Sequence, residues 1–131
     1  MNAKIRILLV DDEAAFTRAL KLNLEDTDRY EVSVVNDSTL AIDVARQIRP
    51  DVVVLDLMMP EMDGPEVAEA MRDISYLSAT PVIFLTALVR KAEEKGLRKG
   101  DVATKYLGKP VTVAELDAAV AEVLRSRREE S

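Results

Sequence analysis

The sequence predicts an α/β fold, a doubly wound five-stranded parallel sheet with helices on both faces. Three observations carry that reading. Apolar runs of strand length alternate with five segments of helical period. The connections are short, and right-handed crossovers over short connections give a parallel sheet. Val52-Val53-Val54-Leu55 and Val82-Ile83-Phe84-Leu85 are unbroken rather than alternating, as in strands buried on both faces.

Ile5 to Val10 is interrupted only by Arg6 and ends in Asp11-Asp12-Glu13, which reads as a central strand with acids at its carboxyl end. A helix follows, with Phe16, Leu20 and Leu24 in one buried stripe and Arg18, Lys21 and Glu25 facing water. Tyr30 to Val35 alternates loosely, predicting a shorter strand near a sheet edge. Asn36-Asp37-Ser38 supplies capping residues for a helix marked by Ala41, Val44, Ala45 and Ile48, which Arg49-Pro50 ends. The third strand stops at a single carboxylate, Asp56. After a Pro- and Gly-punctuated acidic loop, Gly64-Pro65-Glu66 predicts a helix start with proline first, and Val67, Met71 and Ile74 form its stripe. Pro81 to Thr86 is a fourth strand ending in a hydroxyl.

Val89 to Lys99 has helical period but is mostly charged, and reads equally well as a solvated face or a partner-docking surface. Tyr106-Leu107 begins a last strand that runs into Gly108-Lys109-Pro110. Thr112 and Glu115 then make a capping box before a helix with Leu116, Val120, Val123 and Leu124 inward. Residues 1–131 are expected to form one domain, ordered from about residue 4 to 125, with Ser126 to Ser131 as a polar tail.

Composition narrows the function. The core is aliphatic, since 48% of residues are hydrophobic and only 4% aromatic. A formal charge of -6 argues against direct nucleic-acid contact and suits a cation site. With no cysteine there is no disulfide framework, and no signal-peptide pattern or membrane-length apolar run occurs, so the cytoplasm is the expected compartment and membrane insertion is not expected. The absence of histidine removes His-based catalysis and His metal ligands together.

In a doubly wound sheet the site lies outside the carboxyl ends of the strands, at the switch point. A strand order of 2-1-3-4-5 sets Asp11 and Asp12 beside Asp56, with Thr86 ending the next strand and Lys109 the last. Two unit charges about 4 Å apart repel by roughly 4 kcal/mol at an effective dielectric near 20. Three such carboxylates call for a divalent cation, and an all-oxygen donor set favours Mg²⁺ or Mn²⁺ over zinc. Thr86 and Lys109 add a hydroxyl and an ammonium for other phosphoryl oxygens, which makes Asp56 a nucleophile for phosphoryl transfer. Singly, each residue has an ordinary reading. Asp12 and Glu13 favour a helix N-terminus, Asp56 forms a turn, Thr86 is a β-branched strand residue, Tyr106 packs, and Lys109 is solvated. Their coincidence at four strand ends favours the shared pocket.

Four motifs carry a resemblance: Val10-Asp11-Asp12-Glu13, the run from Leu55-Asp56-Leu57 through Met62-Asp63-Gly64, Leu85-Thr86-Ala87, and Tyr106-Leu107-Gly108-Lys109-Pro110. From Lys4 to about Arg125 the chain resembles the receiver domain of two-component response regulators, in the single-domain style of the chemotaxis regulator. The resemblance implies a flavodoxin-like (βα)5 fold and a signalling phosphoacceptor rather than an enzyme. Asp56 would take a phosphoryl group from a histidine kinase or histidine phosphotransfer protein. Metal ligands would be Asp11 or Asp12, Asp56 and the Met58 backbone carbonyl, the second acid of the pair usually touching the metal directly. Thr86 and Lys109 would bind the phosphoryl group, and small Ala87 would leave access to it. Thr86 and Tyr106 would act as the switch, altering the surface of the fourth helix, fifth strand and fifth helix. Met58 and Leu88 occupy rate-tuning positions, and their apolar character implies slow hydrolysis. The Lys109-Pro110 bond would be cis. A downstream effector or fused output domain, and a monomer or weak homodimer on activation, complete the expectation. One departure is a small insertion at Asp101 to Lys105.

Other classes fit less well. An Asp-nucleophile phosphohydrolase wants its nucleophile on the first strand and an Asp two residues on, where Glu13 stands. A nucleotide-binding protein wants a glycine-rich loop where Asp11-Asp12-Glu13 lies. A phosphorylation-independent adaptor on the same fold is the serious alternative, although such a protein would be expected to have lost Asp56, Lys109 or the acid pair.

Overall fold

The computed structural model describes residues 3–87 and 104–130, with side chains through residue 127. Its five strands are β1 (Ile5–Val10), β2 (Tyr30–Val35), β3 (Val52–Asp56), β4 (Val82–Thr86) and β5 (Thr104–Gly108). They form one parallel sheet in the order β2-β1-β3-β4-β5, as the sequence predicts. The described helices are α1 (Ala14–Glu25), α2 (Ala41–Ile48), α3 (Gly64–Arg72) and α4 (Val113–Glu130), with a single 3-10 turn at Ser38–Leu40. The charged helix expected at Val89 to Lys99 lies outside the described residues, as do Leu88 and residues 101–103 of the expected insertion.

Strand alternation sends side chains to two cores. Leu8, Val10, Val53, Leu55, Val82 and Phe84 pack against α2 and α3 on one face. Ile7, Leu9, Val32, Val54, Ile83 and Leu85 pack against α1 and α4 on the other. Every residue of β3 and β4 is buried, which explains their continuous apolar sequences.

Local differences from the sequence reading have local causes. β2 is an edge strand but matches β1 in length, because its register with β1 runs from Ile5↔Tyr30 to Val10↔Val35. β5 begins at Thr104, two residues before Tyr106, so Thr104 and Lys105 of the expected insertion are strand residues paired with Val82 and Ile83. Asp63 is the N-cap of α3 and forms a reciprocal capping box with Glu66, placing Pro65 second rather than first. That position tolerates proline equally, since the first N–H groups of a helix have no intrahelical partner. Ile74 lies beyond the end of α3, half-buried against the core. Arg49 leaves α2 in the left-handed region at φ 46° before Pro50. The expected Thr112–Glu115 capping box is present, and α4 continues through Glu130, so the polar stretch from Ser126 to Glu130 is helical. The Lys109–Pro110 bond is cis.

Gly64 controls how tightly the β3–α3 loop closes. Its N–H donates to the Leu57 carbonyl at 3.0 Å. A Cβ there would stand 2.5 Å from the Asp56 carbonyl oxygen and 3.1 Å from both the Leu57 Cα and the Phe84 ring. Two of those atoms belong to the backbone at the end of β3, which cannot yield without moving Asp56. Gly64→Ala should therefore destabilise the domain by about 1–3 kcal/mol, read as a lowered midpoint in urea unfolding.

Candidate functional site

Three strands deliver acids and an ammonium to one spot. Asp11 follows β1, Asp56 ends β3, and Lys109 follows β5. Lys109 Nζ lies 2.7 Å from Asp11 Oδ2, 3.0 Å from Glu13 Oε1 and 3.7 Å from Asp56 Oδ2. The face of the Phe16 ring lies beneath it, 4.7 Å from ammonium to centroid. Asp11 is fully buried. Its Oδ1 accepts the Glu13 N–H at 2.9 Å, while its Oδ2 meets Lys109 as a close ion pair off the line of an aligned hydrogen bond. Asn36 fixes the same corner, donating to the Asp11 carbonyl and to the Thr17 hydroxyl.

Asp11, Asp12 and Asp56 each present a carboxylate oxygen within 4.8 Å of the others, with Asp12 exposed and the other two buried. This hard, all-oxygen donor set fits Mg²⁺ or Mn²⁺. The lysine only partly offsets the clustered charge. Burial, then the Asp11 carboxylate, pushes the Asp56 carboxyl up to about 6, against the opposing pull of Lys109 and the Met58 N–H. Burial disfavours the Lys109 charge, but Asp11 and Glu13 together hold its ammonium above the usual lysine range.

Thr86 is buried at the end of β4, and its carbonyl accepts the Lys109 N–H at 3.0 Å. Tyr106 pairs with Phe84 across β4 and β5 and stacks on it, with ring centroids 5.4 Å apart and planes at 19°. Because Phe84 and Thr86 share a face by alternation, Tyr106 is the diagonal neighbour of Thr86. Ala87 is exposed in the turn after β4. Met58 is 60% exposed, two residues beyond Asp56. Of the sequence-predicted site residues, Asp11, Asp12, Asp56 and Lys109 converge directly. Thr86 adjoins Lys109 through the backbone, Tyr106 sits one row below, and Leu88 lies outside the described residues.

Sequence reasoning assigned no site role to Glu13, Phe16 or Asn36. Glu13 meets a lysine 96 positions away, a pairing that no local pattern signals.

Residues 7–121 match the family described as the response regulator receiver domain. The chain belongs to that family. Receiver domains act in two-component signalling and are signalling domains rather than classical enzymes. Among relatives of this receiver domain, the transcriptional regulatory protein TrcR of Mycobacterium tuberculosis is 38% identical over 125 residues, covering 95% of this chain and 47% of TrcR. The DNA-binding response regulator MtrA of Mycolicibacterium paratuberculosis is 36% identical over 126 residues, covering 95% of this chain and 53% of MtrA. The receiver domain thus spans about half the length of the curated relatives it matches. Chemotaxis protein CheY4 of Vibrio cholerae superimposes with a TM-score of 0.82 at 31% identity, over 92% of this chain and 99% of CheY4. The receiver domain of sensor histidine kinase PA1611 from Pseudomonas aeruginosa, with a magnesium ion coordinated in its active site cleft, superimposes with a TM-score of 0.81 at 27% identity, over 94% and 99% of the two chains. No helix among the described residues is long and apolar enough to cross a membrane.

The raised Asp56 carboxyl has a stability signature. A carboxyl that holds its proton more tightly when folded costs stability as pH rises from its ordinary range to about 6, and the full cost persists above that. Asp56→Asn should therefore raise the Tm of the metal-free protein at about pH 7.5, with the gain fading toward about pH 4.5. Thermal melts in chelator across that range check this, and a gain independent of pH contradicts it.

Proposed function

We propose that this receiver domain accepts a phosphoryl group on Asp56 from the phosphohistidine of a kinase or phosphotransfer protein. A single observation carries the reading: a buried carboxylate at a strand end shares one pocket with two further acids and a lysine ammonium, supplied by separate strand ends. A charge cluster of this kind weakens the resting fold, and it matches the needs of an in-line phosphoryl transfer.

A carboxylate oxygen of Asp56 attacks phosphorus. The P–N bond breaks with its electron pair passing to the imidazole, which takes up a proton as it leaves. Asp12, Asp56 and Asp11 would hold Mg²⁺ or Mn²⁺, with the Met58 carbonyl as a further ligand. Such an ion supplies positive charge against the phosphoryl oxygens when bound. Exposed Asp12 suits direct ligation, since Asp11 is already engaged by Lys109 and the Glu13 N–H. The Lys109 ammonium and the Thr86 hydroxyl bind the phosphoryl oxygens, and Ala87 leaves their approach open.

The phosphoryl group adds about 1.5 to 2 negative charges at one point. Thr86 and Lys109 move toward it, and Tyr106 turns into the space beside Thr86, leaving its stack on Phe84. That shift alters the surface around β5 and α4, to which an effector or an output domain responds. Met58 and Leu88, both apolar, disfavour an attacking water and lengthen the lifetime of the acyl phosphate.

Acetyl phosphate with Mg²⁺, followed by intact mass, should add one phosphoryl group to the wild type and none to Asp56→Ala; addition to both would reject Asp56. Comparing NMR spectra with and without beryllofluoride, the shifts should centre on Thr86 and Tyr106, and unchanged signals at both would reject the switch.

A further inference from the structure

Glu13 is the N-cap of α1, yet its side chain caps nothing. Glutamate is not among the residues favoured at that position. The work of steadying this turn falls to Asp11, whose carboxylate accepts the Glu13 N–H. The Glu13 carboxylate instead reaches Lys109 Nζ at 3.0 Å, closer than Asp56 at 3.7 Å. Phe16, one turn further along α1, presents its ring face to the same ammonium. The start of α1 therefore holds Lys109 from two directions. Lys109 is mostly buried while the Glu13 side chain is 64% exposed, so the contact can open toward solvent without unfolding its surroundings.

We propose that Glu13 is a positioning residue that tethers Lys109 in the resting state, competing with a phosphoryl group on Asp56 for the same ammonium. The proposal rests on the phosphoacceptor reading and adds to it a setting of phosphoryl affinity by α1. Three carboxylates share Lys109 at rest. A phosphoryl group at Asp56 draws the ammonium toward itself, and the Glu13 contact is the one that can be given up, because water can solvate the released carboxylate. Losing that contact is a cost that phosphorylation or an analogue must meet. Its scale is that of an ion pair with one exposed partner, about two- to fivefold in an equilibrium constant.

The test uses the full chain as wild type, Glu13→Gln and Glu13→Ala, with the Mg²⁺ affinity of each measured by calorimetry and each then saturated with Mg²⁺. Beryllofluoride is titrated by ¹⁵N NMR, and the ammonium signal of Lys109 is followed in the metal-free proteins. Both variants should bind beryllofluoride about two- to fivefold more tightly than wild type, and their Lys109 ammonium protons should exchange faster with water. A merely structural role for Glu13 would not speed that exchange while strengthening binding. Unchanged or weaker beryllofluoride binding in both variants overturns the tether. A wild type that neither binds beryllofluoride nor takes a phosphoryl group from acetyl phosphate overturns the phosphoacceptor reading instead.

Discussion

The ion cluster around Lys109 is the constraint on which the rest depends. Asp11 and Asp56 are buried at the ends of adjacent central strands, where two like charges repel in a medium that screens poorly. Lys109 supplies the counter-charge from the far side of the sheet, 2.7 Å from one acid and 3.7 Å from the other. For that to happen β4 and β5 must lie in register beyond β3, with Thr86 beside Gly108, so that Lys109 emerges at the same end as the acids. Sheet order, strand length and site are thus one condition. The compensation remains incomplete, as the raised Asp56 carboxyl records. An incompletely balanced acidic pocket retains a demand for a further cation, the property a metal-dependent phosphoacceptor needs.

Packed and exposed parts are divided accordingly. The strands leading to Asp11, Asp56 and Thr86 are packed on both faces by apolar side chains, which anchor the carboxyl ends of β1, β3 and β4. Gly64 lets the following loop close onto the Asp56 carbonyl at a distance no larger residue would allow. Around this floor the neighbouring side chains are exposed or half-buried: Met58, the Glu13 carboxylate, and Tyr106 on its Phe84 stack.

Much of this was legible in the sequence. The β-branched run ending at Asp56, the acids after Val10, and the Thr112–Glu115 capping box are local patterns, and local patterns follow from the period of an extended strand or a helix turn. Strand ends could therefore be placed to within a residue or two, and the polar residues at four of those ends pointed to a common pocket. The start of β5 was harder, because Thr104 and Lys105 carry no apolar signal and join the strand only through pairing with Val82 and Ile83. Likewise Asp63, rather than a residue nearer the proline, became the cap of α3 because its side chain reaches the Glu66 N–H.

The sequence by itself determined the α/β class, the elements flanking the site and the identity of the acids and ammonium that meet there. It could do so because periodicity and capping are encoded within a few neighbouring residues. Only the tertiary structure decided how the ammonium is shared, with Glu13 and Asp11 closer to it than Asp56 and the Phe16 ring beneath. Those contacts join positions nearly a hundred residues apart, and their distances follow from sheet register and side-chain packing, which no local window of sequence contains.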